Sequence, residues 1–211
     1  MKIGILISGR GSNMTAIVEA VKSGLIPDSR VVVVISDKTS AEGLIKASER
    51  GVEAVIINRK GRAREEHDAE IVIELKKRDV ELVCLAGYMR LLSKDFVRAF
   101  PNRIVNIHPS LLPAFKGLNA QQQAIDYGVK FSGCTVHFVD EDLDHGAIIA
   151  QKTVEIADDE TAESLSAKIL ELEHALYIKS LKLIVERKVR IENRKVLIES
   201  VLTEPPFFHK L

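Results

Sequence analysis

Apolar residues along this chain follow two spacings: short unbroken runs, and longer stretches in which every third or fourth position is apolar. The short runs are rich in Val, Ile and Leu, which is typical of strands buried on both faces of a sheet. The longer stretches have the period of amphipathic helices. In the first half of the chain, the predicted strands are residues 3–7, 31–35, 55–57, 82–85 and 104–107.

Helices are predicted between these strands, most clearly in the segment after Ser12 and over residues 64–78. The alternation of strands and helices predicts βαβ units. We therefore expect an α/β fold with a doubly wound, mostly parallel, Rossmann-like sheet and helices on both faces. Ligands of such folds bind beyond the carboxyl ends of the strands, so the candidate chemistry is sought at that edge.

The pattern changes in the second half of the chain. Residues 131–139 and 148–154 are predicted to be longer strands, joined without a helix by the acidic loop 140–146. A long helix with a polar start and one apolar side is predicted over residues 161 to about 187. The tail alternates over residues 189–198 with a break in the middle, which predicts a C-terminal hairpin.

Composition and charge narrow the classes of function. The chain has 211 residues, 46% of them hydrophobic, and 30 basic residues balance 30 acidic ones. A neutral chain of this kind argues against a nucleic-acid partner, because neutralising phosphates needs a basic excess. Its apolar runs are too short to span a membrane, and no signal series follows Met1, so we expect a cytoplasmic protein. The two cysteines, Cys84 and Cys134, lie in apolar stretches and are predicted to be buried free thiols.

A glycine-rich loop, residues 8–13, separates the first predicted strand from its helix. Backbone N–H groups at a helix N-terminus, together with Ser12 and Asn13, suit a phosphate group. A dinucleotide site stays open as an alternative, with Asp37 as the acid that binds ribose, although Met14 stands where that motif has a third glycine. A plain turn that caps the helix is also open.

Asn106 and His108 end the fifth predicted strand and lie two residues apart, so both side chains project from the same face. Pro109 ends the strand directly afterwards. A carboxamide and a protonated imidazole at this edge could bind the oxyanion of an acyl or formyl transfer, although His108 alone could be structural. His137, on a later predicted strand, is interpreted as a core histidine with a supporting role at most.

Residues 106–113 (Asn-Ile-His-Pro-Ser-Leu-Leu-Pro) resemble the signature of the formyltetrahydrofolate-dependent transferases. Members of that family carry a downstream Asp in a short loop that ends in Gly, and this chain has Asp-His-Gly at residues 144–146. Three further segments are similar to one branch, the phosphoribosylglycinamide formyltransferases; they are residues 9–13, 86–92 and 173–174. All five motifs occur in the family's order.

The resemblance, which runs from residue 2 to about 189, implies a reaction and its catalytic groups. The co-substrate would be 10-formyltetrahydrofolate, and its formyl group would pass directly to the amine of glycinamide ribonucleotide in purine biosynthesis. Asn106 and protonated His108 would hold the oxyanion, and Asp144 would favour the charged imidazole and relay a proton. No metal and no covalent enzyme intermediate would be needed.

Binding residues are implied by the same resemblance. Gly11, Ser12 and Asn13 would bind the substrate phosphate. Glu173 would contact the ribose or the glycinamide end, although a solvated acid on the helix surface is an equal interpretation. The folate pocket would be formed by Arg64, Met89, Arg90, Leu91, Leu92, Asn106, Asp140, Glu141, Asp142, Leu143 and Asp144.

We expect one domain over residues 1–211, with a phosphate-binding half of about 1–100, a folate and catalytic half of about 101–190 and a tail, 191–211. A homodimer is left open. Residues 119–122 lack the histidine that many family members carry there. The rival functions are a formyltetrahydrofolate hydrolase, a methionyl-tRNA formyltransferase, a nicotinamide-dependent dehydrogenase and a binding module without activity. Residues 205–208 (Pro-Pro-Phe-Phe) are predicted to be a loosely ordered end.

Overall fold

The computed structural model describes residues 1–199, and its elements follow the apolar pattern of the chain. The strands in this part are β1 (Lys2–Ile7), β2 (Arg30–Ser36), β3 (Ala54–Ile56), β4 (Leu82–Leu85), β5 (Ile104–His108), β6 (Phe131–Phe138), β7 (Ile148–Glu155), β8 (Val189–Glu192) and β9 (Lys195–Ile198). The helices are α1 (Ser12–Lys22), α2 (Glu42–Glu49), α3 (Arg64–Lys77), α4 (Lys94–Ala99), α5 (Ala120–Tyr127) and α6 (Ala162–Val185).

All of these strands join one sheet in the order β3-β2-β1-β4-β5-β6-β7-β9-β8. The first five strands pair in parallel, and β6 and β7 then pair antiparallel to their neighbours. The hairpin of β8 and β9 completes the sheet through a single parallel pairing between Ile148 and Lys195. The predicted doubly wound, mostly parallel sheet and its C-terminal hairpin are therefore confirmed.

Successive residues of the central strands face two separate hydrophobic cores. On one face, Ile5 of β1 packs in a core that also contains Ile17 of α1 and Ile169 of α6. On the other face, Leu6 packs with residues of α3 and α4, among them Leu75. Because both faces of the sheet are covered, the strands are apolar at nearly every position, which is the pattern seen in the sequence.

The sequence predicted the long helices but not the short ones. The long helix α6 begins after Thr161, whose side chain accepts from the backbone N–H of Ser164 in a reciprocal capping box, as the polar start predicted. Three short helices, α2, α4 and α5, were not predicted, because each has only six to eight residues and buries few side chains. The prediction for residues 205–208 lies outside the described residues. No helix within residues 1–199 is long and apolar enough to cross a membrane.

Tyr177 joins α6 to the middle of the sheet. Its side chain is fully buried, and the hydroxyl donates toward the carbonyl oxygens of Val105, at 2.8 Å, and Leu85, at 3.2 Å. Burial raises the pKa of this phenol well above its ordinary value, so it stays a donor. The helix is thereby held against the last residue of β4 and the second residue of β5, directly before Ala86 and Asn106.

We expect Tyr177→Phe to lower the free energy of unfolding by about 1–3 kcal/mol, because two buried carbonyl oxygens lose their shared donor while the ring is kept. Urea unfolding followed by circular dichroism measures the change. Tyr127→Phe is the matched control, since Tyr127 is 79% exposed and its loss of a hydroxyl should leave stability unchanged. Equal stability of the two variants would contradict the role given to the Tyr177 hydroxyl.

Candidate functional site

The candidate site begins where β5 pairs with the antiparallel strand β6. The register places Asn106 directly opposite His137. The Asn106 Nδ2 atom lies 3.2 Å from His137 Nε2, and His137 Nδ1 lies 2.8 Å from the carbonyl oxygen of Phe138. Nδ1 therefore carries the proton and Nε2 accepts, which is a neutral imidazole. Burial, the largest influence, lowers the pKa of His137 and favours the same neutral form.

His108 lies on the same face of β5 as Asn106, and its ring lies between two acceptors. Its Nε2 atom lies 2.9 Å from the carbonyl oxygen of Phe115, and its Nδ1 atom lies 3.4 Å from Oδ2 of Asp144. An imidazolium can donate from both nitrogens, so this geometry suits the charged ring. The short contact to Phe115 fixes the ring, while the longer one to Asp144 leaves Nδ1 free to engage another acceptor.

Asp144 lies between the two imidazoles. One carboxylate oxygen, Oδ2, accepts from the backbone N–H of Gly117 at 2.8 Å and contacts His108. The other, Oδ1, lies 3.9 Å from Nε2 of His137. The side chain is only 9% exposed. The predicted trio of Asn106, His108 and Asp144 is thus brought together, and His137 joins it as a fourth member.

A cavity of about 590 Å³ opens beside these residues. This volume is in the range of small-molecule sites. Eight of the residues predicted for the folate pocket line it: Met89, Arg90, Leu91, Leu92, Asn106, Asp142, Leu143 and Asp144. Leu118, Asn119 and Gln121 also line it, although the pattern of the sequence did not single them out.

Three other predicted pocket residues are not among those that line the cavity. Arg64 is exposed at the start of α3, with its Nε atom 3.2 Å from the Glu65 carboxylate. Asp140 binds the imidazole of His145 at 2.7 Å. Glu141 lies on the outer side of its loop and pairs with two cations of α4.

The glycine loop forms a second polar group of residues. Gly11 precedes α1 with a φ of 71°, and a Cβ atom there would lie 2.8 Å from the Cα of Gly43, so glycine is required by both conformation and space. The N-terminal N–H groups of α1 follow at Ser12 and Asn13. Asn13 Nδ2 donates to the carboxylate of Glu173 at 2.7 Å. The structure therefore brings together Gly11, Ser12, Asn13 and Glu173, although none of the four lines the cavity.

Glu173 is buried on α6, which decides against the interpretation as a solvated acid. Burial, the largest influence, raises the pKa of its carboxyl group, and the hydrogen bond from Asn13 opposes the shift. The sequence did contain a signal: Leu165, Ile169 and Leu176 are buried on one side of α6, and position 173 falls on that side.

Asp68 is a buried residue of α3 that the sequence analysis missed. Its carboxylate accepts from the backbone N–H of Ser93 at 2.6 Å, and the Ser93 side chain caps α4 by accepting from Phe96. The contact with Asp68 holds Ser93, which directly follows residues 87–92, a segment that lines the cavity. Asp37, the acid required by a dinucleotide site, is fully buried and lies 3.1 Å from Arg59, which argues against the dinucleotide alternative.

No group of three or more His, Cys, Asp or Glu side chains within the described part of the chain could hold a metal ion. Cys84 and Cys134 are buried free thiols, as predicted, and burial raises the pKa of each to about 12.

Comparison with known proteins identifies related chains. Residues 1–181 match the family model described as formyl transferase. The phosphoribosylglycinamide formyltransferase of Haemophilus influenzae is 38% identical over 94% of this chain and 93% of its own length. A crystal structure of glycinamide ribonucleotide transformylase 1 from Symbiobacterium toebii is 47% identical, with a TM-score of 0.93, and the match covers 95% of this chain and 94% of that one.

A larger protein also matches. The trifunctional purine biosynthetic protein adenosine-3 of Drosophila melanogaster is 46% identical over 87% of this chain. The chain spans only 14% of that protein's length.

We expect Glu173→Gln to stabilise the fold at neutral pH. Because the pKa of Glu173 is raised in the folded state, the unfolded chain ionises first as the pH rises above 4.5, and stability is lost across that interval. Gln does not titrate and can still accept from Asn13. The difference in free energy of unfolding between variant and wild type should therefore be near zero in acid and should grow with pH.

Urea unfolding at several pH values between 4 and 8 tests this expectation. Glu171→Gln, an exposed position on the same helix, is the control and should show no such growth with pH. A Glu173→Gln difference that is constant with pH would mean that the carboxyl group titrates normally.

Proposed function

Since this chain belongs to the formyl transferase family, we propose that it transfers the formyl group of 10-formyltetrahydrofolate to the amine of glycinamide ribonucleotide. Family membership confirms the resemblance predicted from residues 106–113 and 144–146. The observation that carries the proposal is the meeting of Asn106, His108 and Asp144 at the wall of one cavity. The reaction makes the chain an enzyme of purine biosynthesis, and a cytoplasmic location is proposed with it.

Attack of the amine on the formyl carbon makes a tetrahedral intermediate with a negatively charged oxygen. Donors placed in advance around such an oxygen lower the barrier, because they need no reorganisation during the reaction. Asn106 supplies an amide N–H from the cavity wall, and His108 supplies Nδ1–H. The ring of His108 is held for this task by the bond from Nε2 to Phe115.

Asp144 acts on charge and on proton transfer. Its carboxylate lies 3.4 Å from Nδ1 of His108 and accepts from that nitrogen, while burial lowers the pKa of His137, so that ring stays neutral. The amine loses a proton when it attacks, and the folate nitrogen gains one when the carbon–nitrogen bond breaks. Asp144 carries that proton between them through water, so the sum of protons is unchanged.

The glycine loop binds the substrate phosphate. Gly11, Ser12 and Asn13 present backbone N–H groups at the N-terminus of α1, where an anion is stabilised by the helix dipole. Glu173, held by Asn13, contacts the ribose or the glycinamide end of the same substrate. Phosphate binding is thus proposed for the N-terminal half of the chain, about residues 1–100.

The folate ring system occupies the cavity. Its walls combine apolar side chains such as Leu92 and Leu143 with the backbone of two loops, which suits a flat ring with polar edges. Arg64, the exposed first residue of α3, is the proposed partner of the folate's carboxylate tail. Asp140 and Glu141 contribute to the pocket by holding the loop 140–146 over it.

Hydrolysis of the same formyl folate is the second candidate function. It would use Asn106, His108 and Asp144 in the same roles, with water as the nucleophile in place of the amine. The buried pair of Asn13 and Glu173 beside the glycine loop favours a transferase, because a hydrolase has no phosphorylated acceptor to bind.

We expect the protein to deformylate a 10-formyl folate analogue only when glycinamide ribonucleotide is present. Asn106→Ala should lower kcat about a hundredfold or more, because an oxyanion donor is lost. Asp144→Asn should lower it by a similar order, because the carboxylate can neither charge His108 nor carry a proton. Release of the deformylated folate is followed by absorbance.

Asp159→Asn is the control, since this exposed residue lies in the turn before α6 and should leave kcat unchanged. Folate loss without the ribonucleotide would point to the hydrolase. A folded wild type with no turnover under either condition would refute both functions.

A further inference from the structure

The C-terminal hairpin of β8 and β9 touches the loop that carries Asp144. This hairpin lies beyond the part of the chain that matches the family model, which ends at residue 181. Arg194 stands in its turn, and its Nη2 atom donates to the backbone carbonyl of His145 at 2.8 Å. Its Nη1 atom donates to Nε2 of the His145 imidazole. One guanidinium therefore holds both the backbone and the side chain of the residue that follows Asp144.

His145 passes this contact into the loop. Its Nδ1 atom lies 2.7 Å from Oδ2 of Asp140, at the other end of the loop, and 3.8 Å from the carboxylate of Asp142. With a proton on Nδ1 the ring donates to Asp140, and Nε2 accepts from Arg194. His145, near the end of the loop, is thus hydrogen-bonded both to Asp140 at the beginning of the loop and to Arg194 of the hairpin.

A second anchor, near the beginning of the loop, connects it to α4. Glu141 accepts from Nε of Arg98 at 2.9 Å and lies 3.4 Å from Lys94, both on α4. These two residues hold the outer side of the loop, whereas Arg194 holds the end at which Asp144 must face inward. Within residues 1–199, no Lys or Arg side chain lies within salt-bridge distance of Asp140 or Asp142, whose partner is His145.

We propose that Arg194 is a positioning residue, which keeps Asp144 turned toward His108 by clamping His145. The proposal rests on the catalytic role given above to Asp144. Arg194 does not line the cavity, so it acts through the loop and does not touch the substrates. Arginine suits this task because its planar group can donate to two acceptors at once.

The sharpest test is Arg194→Ala beside Arg190→Ala. Arg190 lies on the same hairpin, and its guanidinium pairs with Glu192 of its own strand, so its loss removes a hairpin charge without touching the loop. We expect Arg194→Ala to lower kcat about three- to fivefold with little change in KM for the ribonucleotide, the size expected when hydrogen bonds from an exposed guanidinium to neutral acceptors are lost. Arg190→Ala should match the wild type, and Arg194→Lys should fall between, because it keeps the charge but not the planar fork.

Amide hydrogen exchange at Gly117 gives a readout that does not depend on turnover. This N–H donates to Asp144, so it should exchange faster in Arg194→Ala and remain as slow as in the wild type in Arg190→Ala. Unchanged exchange at Gly117 and unchanged kcat in Arg194→Ala would overturn the proposal. If the wild type has no turnover, the proposed function fails while the exchange rates still decide whether Arg194 positions Asp144.

Discussion

The antiparallel register between β5 and β6 is the constraint on which the site depends. The sheet changes direction at this pair, and the change places Asn106 opposite His137 and His108 opposite Thr135. Side chains alternate along a strand, so a slip of one residue would turn His137 away from Asn106 and into the opposite core. The register is protected because both faces of these strands are buried. The same core that stabilises the sheet therefore also fixes the positions of Asn106 and His108, the proposed catalytic groups on β5.

The two histidines of the site, His108 and His137, have different surroundings and suit different protonation states. His137 is held neutral by its surroundings and satisfies Asn106, while His108 faces two acceptors and suits the charged form. Asp144 can stabilise one charge, and the neutral state of His137 directs it to His108. Two groups of one residue type thus receive different roles from their environments, as occurs at many catalytic sites. A buried polar network of this kind is favourable only when every member has a partner, and Gly117 supplies the remaining donor to Asp144.

The sequence predicted most of the sheet and part of the site, and the division has a physical reason. Strand runs and the common face of Asn106 and His108 are local properties, so the pattern of residues was enough to predict them. The pairing of Asn106 with His137, 31 residues away in the chain, depends on the register of two strands, which local spacing does not reveal. Asp68 and Arg194 act through contacts with distant loops, and the short helices bury too few side chains to leave a periodic signal. Glu173 was left between a substrate contact and a solvated acid, because its charge favours exposure, whereas its position on the apolar side of α6 favours burial.

Helix α6 relates the two groups of polar residues to each other. Glu173 and Tyr177 are one turn apart on its buried face, roughly 6 Å along the axis. Glu173 contacts Asn13 in the glycine loop, and Tyr177 donates to the carbonyl of Val105, directly before Asn106. The spacing between the glycine loop, the proposed phosphate site, and Asn106, the proposed oxyanion donor, is therefore set by one rigid turn of helix. Burying a carboxylate at position 173 has a cost, and an uncharged residue would make the helix more stable. The proposed contact between Glu173 and the substrate gives this cost a functional reason.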